Sequence, residues 1–227
     1  MQRVQERLPL FPLGLVMLPG LLLPLHVFEE RYRDLVRDLL ELPEQDRRFG
    51  VVAIREGREV GADGVTALHE VGCVARLRRV TPYDDGRFDI VATGAERFRL
   101  TGLADGAAYA TGLVELLPDE LGPADEAALL DRAVQAAFQT YVAALAQARG
   151  DDELDVGELP ADSLVLSYVV AASVVVDLED RQRLLAEPDG VARLRAELAL
   201  LRREATLLRT LTALPAPELA RTPISPN

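Results

Sequence analysis

The chain has 227 residues, 49% of them apolar and 27% charged, which suits a globular protein of one large domain or two small ones. All 25 basic residues are arginine, and the absence of lysine excludes a P-loop nucleotide cradle, a Ser–Lys peptidase dyad and a Schiff-base lysine, while two histidines and one cysteine leave neither a zinc set nor a disulfide. The formal net charge of −12 is uneven, with 15 arginines against 18 acids over residues 1–115 and 10 against 19 over residues 116–227, and it argues against nucleic acid and anionic membranes as partners.

Leu8 to Phe28 is a run of 21 residues without a charge, long enough to cross a bilayer, yet it contains Pro9, Pro12, Pro19 and Pro24 with Gly14 and Gly20. Each interior proline would cost a helix about 3 kcal/mol and leave backbone groups unpaired in lipid. Glu6 spoils the basic start of a secretory signal, and no small-x-small cleavage site follows. Short buried strands broken by turns, in a cytoplasmic protein, are the expectation.

Leu8–Leu13 and Leu21–Leu25 read as two such strands around the Leu18-Pro19-Gly20 turn. Glu29 to Leu40 has helical spacing, with Tyr32, Leu35, Val36, Leu39 and Leu40 on one face. Phe49–Ile54 is a further apolar run. Val71, Cys73, Ala75 and Leu77 alternate with Gly72, Val74, Arg76 and Arg78, the period of a half-buried strand. Asp84-Asp85-Gly86 signals a hairpin turn into Phe88–Thr93, and Glu96–Thr101 and Tyr109–Leu117 complete a series of short strands that suggests a small barrel or sandwich.

At Pro118 the period changes. Ala124–Ala148 carries Leu130, Val134, Ala137, Phe138, Tyr141 and Leu145 on one helical stripe. An acidic connector over residues 150–162 ends in Asp162 or Ser163, either of which can cap a helix over Ser163–Val176; its valines leave a strand as the alternative. A last helix follows Pro188-Asp189-Gly190, with Leu194, Leu198, Leu201, Ala205, Leu208 and Leu211 at three- and four-residue steps. The expected domains are therefore residues 1–117, strand-rich with one helix; residues 118–214, a helical bundle; and a disordered Pro-rich tail over residues 215–227.

No catalytic constellation emerges. The chain has no Gly-x-Ser-x-Gly elbow, His-Glu-x-x-His pair or Gly-x-Gly-x-x-Gly loop. His26, between Leu25 and Val27, is expected to pack structurally; His69 has no partner at metal-ligand spacing; Cys73 on an apolar strand face is a small hydrophobe. Asp84-Asp85 and Asp151-Asp152 read as solvated turns. No catalytic, cofactor-binding or metal-binding residue is assigned. Arg76 with Arg78, and Arg97 with Arg99, would share strand faces and could serve an RNA site, but Glu70, Asp89 and Glu96 lie close in sequence and no aromatics interleave, so surface ion pairs explain them better.

Several motifs in one order resemble the N-terminal substrate-binding domain of Lon proteases. They are Leu8-Pro9-Leu10-Phe11-Pro12-Leu13, Leu18-Pro19-Gly20, Pro24-Leu25-His26-Val27-Phe28-Glu29 with Tyr32, Phe49-Gly50-Val51-Val52, Val71-Gly72-Cys73-Val74-Ala75-Arg76, Gly94 with Arg97-Phe98-Arg99-Leu100, and the turn Asp180-Arg181-Gln182-Arg183-Leu184-Leu185. The likeness covers roughly residues 8 to 210 and implies an α+β fold, a PUA-like small β-barrel followed by an α-helical bundle. Full-length Lon continues into an ATPase module and a Ser–Lys peptidase domain. This chain stops at Asn227 without a lysine, so a free-standing recognition domain, not a protease, is expected.

The resemblance implies binding of unfolded or partly folded polypeptides. Recognition of that kind needs exposed apolar surface. Leu21, Leu22, Leu23, Phe28 and Tyr32 are the candidate apolar wall, in a groove where barrel and bundle meet, helped by hydrogen bonds at a free strand edge. An adaptor for a specific folded partner, a homodimer seam, or service to a separate protease or ATPase are the alternatives, with RNA binding behind them.

Overall fold

A computed structural model of the protein describes residues 5–57, 65–104, 108–151 and 154–213. The elements are β1 (Gln5–Leu13), β2 (Leu22–Val27), α1 (Glu30–Glu41), a 3-10 turn (Glu44–Asp46), β3 (Arg48–Gly57), β4 (Val65–Leu68), β5 (Val71–Pro82), β6 (Phe88–Ala104), β7 (Thr111–Leu117), α2 (Ala124–Arg149), α3 (Ser163–Ser173), α4 (Leu178–Ala186) and α5 (Gly190–Ala213). The expected Pro-rich tail lies outside the described residues.

The strands run β1-β7-β6-β5-β3 in antiparallel pairs, and β3 returns to β1 in parallel register, Leu10 opposite Gly50 and Leu13 opposite Ala53. That last pairing closes a five-strand ring, and β2 and α1 supply the crossover that a parallel pair requires. All five ring strands contribute to one small cluster, Leu8, Leu10, Val52, Val74, Phe98 and Val114. Glycine gives it room: a Cβ at Gly72 would lie 2.4 Å from Phe98 Cζ. On the opposite side of β3 and β5 lie Phe49, Val51, Cys73 and Ala75, packed with Tyr32, Leu35, Val36 and Leu39 of α1. Strand β5 is thus buried on both faces as far as Ala75, not half-buried as its alternation suggested, because α1 covers one face and the ring closes over the other.

The expected strands Phe88–Thr93 and Glu96–Thr101 are one, β6. It pairs with β2 through its first part and with β7 through its last. Gly94 keeps it continuous. The turn after Leu18 docks on it, Gly20 N–H donating to Gly94 O at 3.0 Å and Gly94 N–H to Leu21 O at 2.8 Å. A Cβ at position 94 would sit 2.3 Å from Leu18 O, a backbone atom with little room to give. Gly94→Ala is therefore expected to cost about 1–3 kcal/mol by overpacking, read as a lower urea midpoint with an unchanged slope.

The helical half packs as one cluster with Val16, Leu18, Ala53 and Val71 from the strand half. Asp162 caps α3 by accepting from Val165 N–H at 2.9 Å, while Ser163 Oγ turns to Asp131 Oδ2 at 2.6 Å. Helix α3, not a strand, occupies the apolar run. The stretch Asp180–Leu185, read as a turn, lies in α4. Asp177 caps that helix by accepting from Asp180 N–H at 2.7 Å.

Candidate polypeptide-binding surface

Strand β2 pairs only with β6 among the described residues, so its other edge is open. Leu21 O accepts from Gly94 N–H, and alternation from there turns the backbone of residues 23, 25 and 27 toward β6 and that of 22, 24 and 26 to the open edge. Pro24 has no N–H and removes one donor from that edge, a common device against strand addition. Side chains alternate as well. Leu23, Leu25 and Val27 face the core with α1, whereas Leu22, Pro24, His26 and, just beyond the strand, Phe28 face outward. Leu22 is 69% and Phe28 49% exposed.

The five residues of the expected wall are therefore divided. Leu22 and Phe28 are on the surface. Leu23 and Tyr32 are buried and Leu21 is half-buried against the core shared by the two halves. Successive residues of a strand point to opposite faces, and Tyr32 lies on the buried stripe of α1, stacked on Phe11 with ring centroids 4.0 Å apart.

His26, expected to pack structurally, packs at the surface with its side chain 44% exposed. Its Nδ1 lies 2.7 Å from Asp89 Oδ1, its Nε2 lies 3.3 Å from Arg87 Nη1, and its ring stacks on Phe28 and meets the edge of Tyr83. Tyr83 donates its hydroxyl to Asp89 Oδ2 at 2.5 Å. The hydrogen bonds from Tyr83 and His26 hold the Asp89 carboxyl below the usual carboxylate range, and the same contact pushes the Tyr83 phenol up.

Among the described residues, buried polar contacts join the two halves. Arg97, on β6, is 1% exposed, and its guanidinium donates to Leu185 O at 2.9 Å and Glu187 O at 2.5 Å, at the C-terminus of α4, and to Pro118 O and Pro188 O. Its Nε lies 3.3 Å from Asp119 Oδ1, which also accepts from Tyr168. Arg193 of α5, likewise buried, donates to Leu184 O and Ser167 Oγ, its guanidinium 4.0 Å from the Tyr168 ring centroid. Two arginines from opposite halves thus satisfy the carbonyls that end α4 and complement its dipole. Gln182 Nε2 donates across the same seam to Val71 O at 2.9 Å. A surface array of Arg76, Arg78, Arg97 and Arg99 is excluded, since the bundle covers Arg97 although Arg99 remains exposed.

A recess of about 410 Å³ lies beside α1, lined by Tyr32, Leu68, His69, Leu100 and Leu103 among others, all from the strand half. His69 Nε2 is 3.6 Å from Glu179 of α4. Burial pushes the Cys73 thiol up to about 12, far from a reactive thiolate. Among the described residues no three His, Cys, Asp or Glu side chains group as metal ligands, and no helix is long and apolar enough to cross a membrane.

Comparison with known proteins agrees with this architecture. The chain is 29% identical to Lon protease 2 of Myxococcus xanthus over 91% of its length, and 26% identical to Lon protease 2 of Syntrophobacter fumaroxidans over 83%. It spans about a quarter of these curated relatives, 24% and 23% respectively. The crystal structure of a Lon N-terminal domain protein from Xanthomonas campestris superposes with a TM-score of 0.57 at 27% identity, covering 86% of this chain and 98% of that one. The N-terminal domain of the Mycobacterium avium complex Lon protease shares the fold, with a TM-score of 0.61 at 17% identity over 87% of this chain and 98% of that one. The profile of the ATP-dependent protease La (LON) substrate-binding domain matches residues 7–203, and with strands, helices and seam all accounted for, the chain belongs to that family.

Proposed function

We propose that the chain is a polypeptide-binding module that performs no reaction itself and engages unfolded or partly folded proteins through the outward face of β2. The observation that carries this is the pairing of Leu22 and Phe28, two large apolar side chains standing in solvent on an edge strand and the turn that follows it. Covering what each still exposes contributes about 1–2 kcal/mol of apolar burial, enough for weak, sequence-tolerant recognition. In this reading Leu22 and Phe28 make contact, while Leu21, Leu23 and Tyr32 hold the strand and α1 in place beneath. The strand half, residues 1–117, then carries the surface, and the bundle, residues 118–214, braces it through Arg97. A single buried thiol suits a reducing, cytoplasmic setting.

Isothermal calorimetry with an unfolded casein tests this. The chain is expected to bind, Leu22→Asp to weaken binding about ten-fold, a loss of about 1.4 kcal/mol, and the casein to remain uncleaved. No measurable affinity for an unfolded client, or equal affinity in the variant, overturns the reading. Service to a separate protease or ATPase, an adaptor role and pairing of two copies are the alternatives, read by what co-purifies from extract and by sedimentation.

A further inference from the structure

The outward face of β2 continues across β6 and β5, and the register sets its chemistry in rows. Leu22 lies opposite Thr93 and Thr93 opposite Arg76; Pro24 lies opposite Val91 and Val91 opposite Arg79; His26 lies opposite Asp89 and Asp89 opposite Thr81. A register shift between Leu77 and Arg79 leaves Arg78 without a partner in the ladder, and Arg78 and Arg79 are both exposed. The bulge therefore presents two adjacent cations on one rim, where regular alternation would expose only one.

The carboxylates around these arginines are mostly committed. Glu96 takes Arg76 at 2.6 Å, Asp85 takes Arg87 at 2.7 Å, and Asp89 accepts from Tyr83 and His26. Among the described residues Arg78 donates only to the neutral Thr93 hydroxyl, at 3.3 Å, and neither Arg78 nor Arg79 has an ion-pair partner. Glu44 lines the recess beside Arg76 and Arg78 and, among the described residues, forms no ion pair there either. The face is thus polarised, apolar along β2 and cationic about 10 Å away along β5, two strand spacings across.

We infer that this face selects acidic, aliphatic-rich segments of its client chains, with apolar side chains over Leu22 and Phe28 and a carboxylate reaching Arg78 and Arg79. The inference rests on the polypeptide-binding reading above and names its preferred substrate class. At about 3.3 Å per residue, an extended segment crossing the sheet brings a carboxylate into reach two to four residues from its apolar contact. Exposed ion pairs are individually weak, so two give a preference of several-fold, and one that salt removes.

Fluorescence anisotropy with short labelled peptides tests the inference, using leucines interspersed with glutamate, glutamine or lysine at matched positions. The glutamate peptide is expected to bind about five-fold more tightly than the glutamine peptide, and the lysine peptide most weakly. In a chain carrying Arg78→Glu and Arg79→Glu, with an unchanged circular dichroism spectrum, the order is expected to reverse, and in 1 M salt the three affinities to converge. Equal binding of the three peptides by the native chain, or an order unmoved by the double substitution, overturns the acidic preference and leaves polypeptide binding standing. No binding of any peptide, with no binding of casein, overturns both. A sedimentation coefficient that rises with concentration and falls back in the double variant would assign the face to a second copy of this chain and overturn the inference.

Discussion

Replacing Arg97 with Met is expected to destabilise the protein by about 3–5 kcal/mol, the range for removing one partner from a buried charged network. Methionine fills comparable volume but offers no donor, so Leu185 O, Glu187 O, Pro118 O and Pro188 O lose a shared cation and Asp119 loses its nearest opposite charge. Lysine keeps the charge but lacks the planar fork that serves several carbonyls at once, and it should recover only part of the loss. Arg99→Met, two residues along the same strand and exposed, is expected to fall within about 0.5 kcal/mol of the native chain. Urea unfolding followed by circular dichroism reads all three. A midpoint for Arg97→Met equal to that of Arg99→Met would show that the seam is held by apolar packing alone.

The second large effect has the opposite sign. Glu197 on α5 is fully buried, and among the described residues neither carboxylate oxygen has a hydrogen-bond partner. Burial raises its carboxyl well above the ordinary value of 4.5; Arg193, one turn earlier, opposes this only in part, since Leu184 O, Ser167 Oγ and the Tyr168 ring already engage its guanidinium. The unfolded chain releases this proton near pH 4.5 while the folded chain keeps it. Above that pH the unfolded state binds fewer protons, so stability declines as pH rises until the folded carboxyl also ionises. Each pH unit between the two titrations is worth about 1.4 kcal/mol. Glu197→Gln removes the titration. It should match the native chain below about pH 4 and become progressively more stable than it toward neutral and alkaline pH, as thermal midpoints across that range would show. A variant less stable than the native chain at pH 7 would mean that Glu197 is ionised and paired with Arg193.

Much of this architecture was legible along the chain. The stripe of α1 and the long helices α2 and α5 fall where periodicity puts them, because each has one face toward a core and one toward water, and the strand runs fall between the turn signals that bound them. What was not legible depends on contacts distant in sequence. Gly94 looked like a break between two strands because nothing local shows the Leu18–Leu21 turn docking on it. Helix α4 is short and charged, so its stripe is weak; the Asp177-x-x-Asp180 cap was the available signal. Arg97 resembled its neighbour Arg99 in every local respect, and only the arrival of α4 separates a buried anchor from a surface cation. At the candidate surface, Leu21-Leu22-Leu23 is uniformly apolar, so no alternation reveals which side chain stays outside, whereas the pairing of β2 with β6 selects Leu22.

The ring also constrains the order in which the molecule can be made. Strand β1 is hydrogen-bonded on one edge to β3 and on the other to β7, whose residues Thr111–Leu117 are synthesised about a hundred positions later. During translation β1 must wait, with one edge bare, until β7 has emerged. Such long-range closure slows folding and exposes a proline-bearing apolar ribbon to neighbouring nascent chains in the meantime.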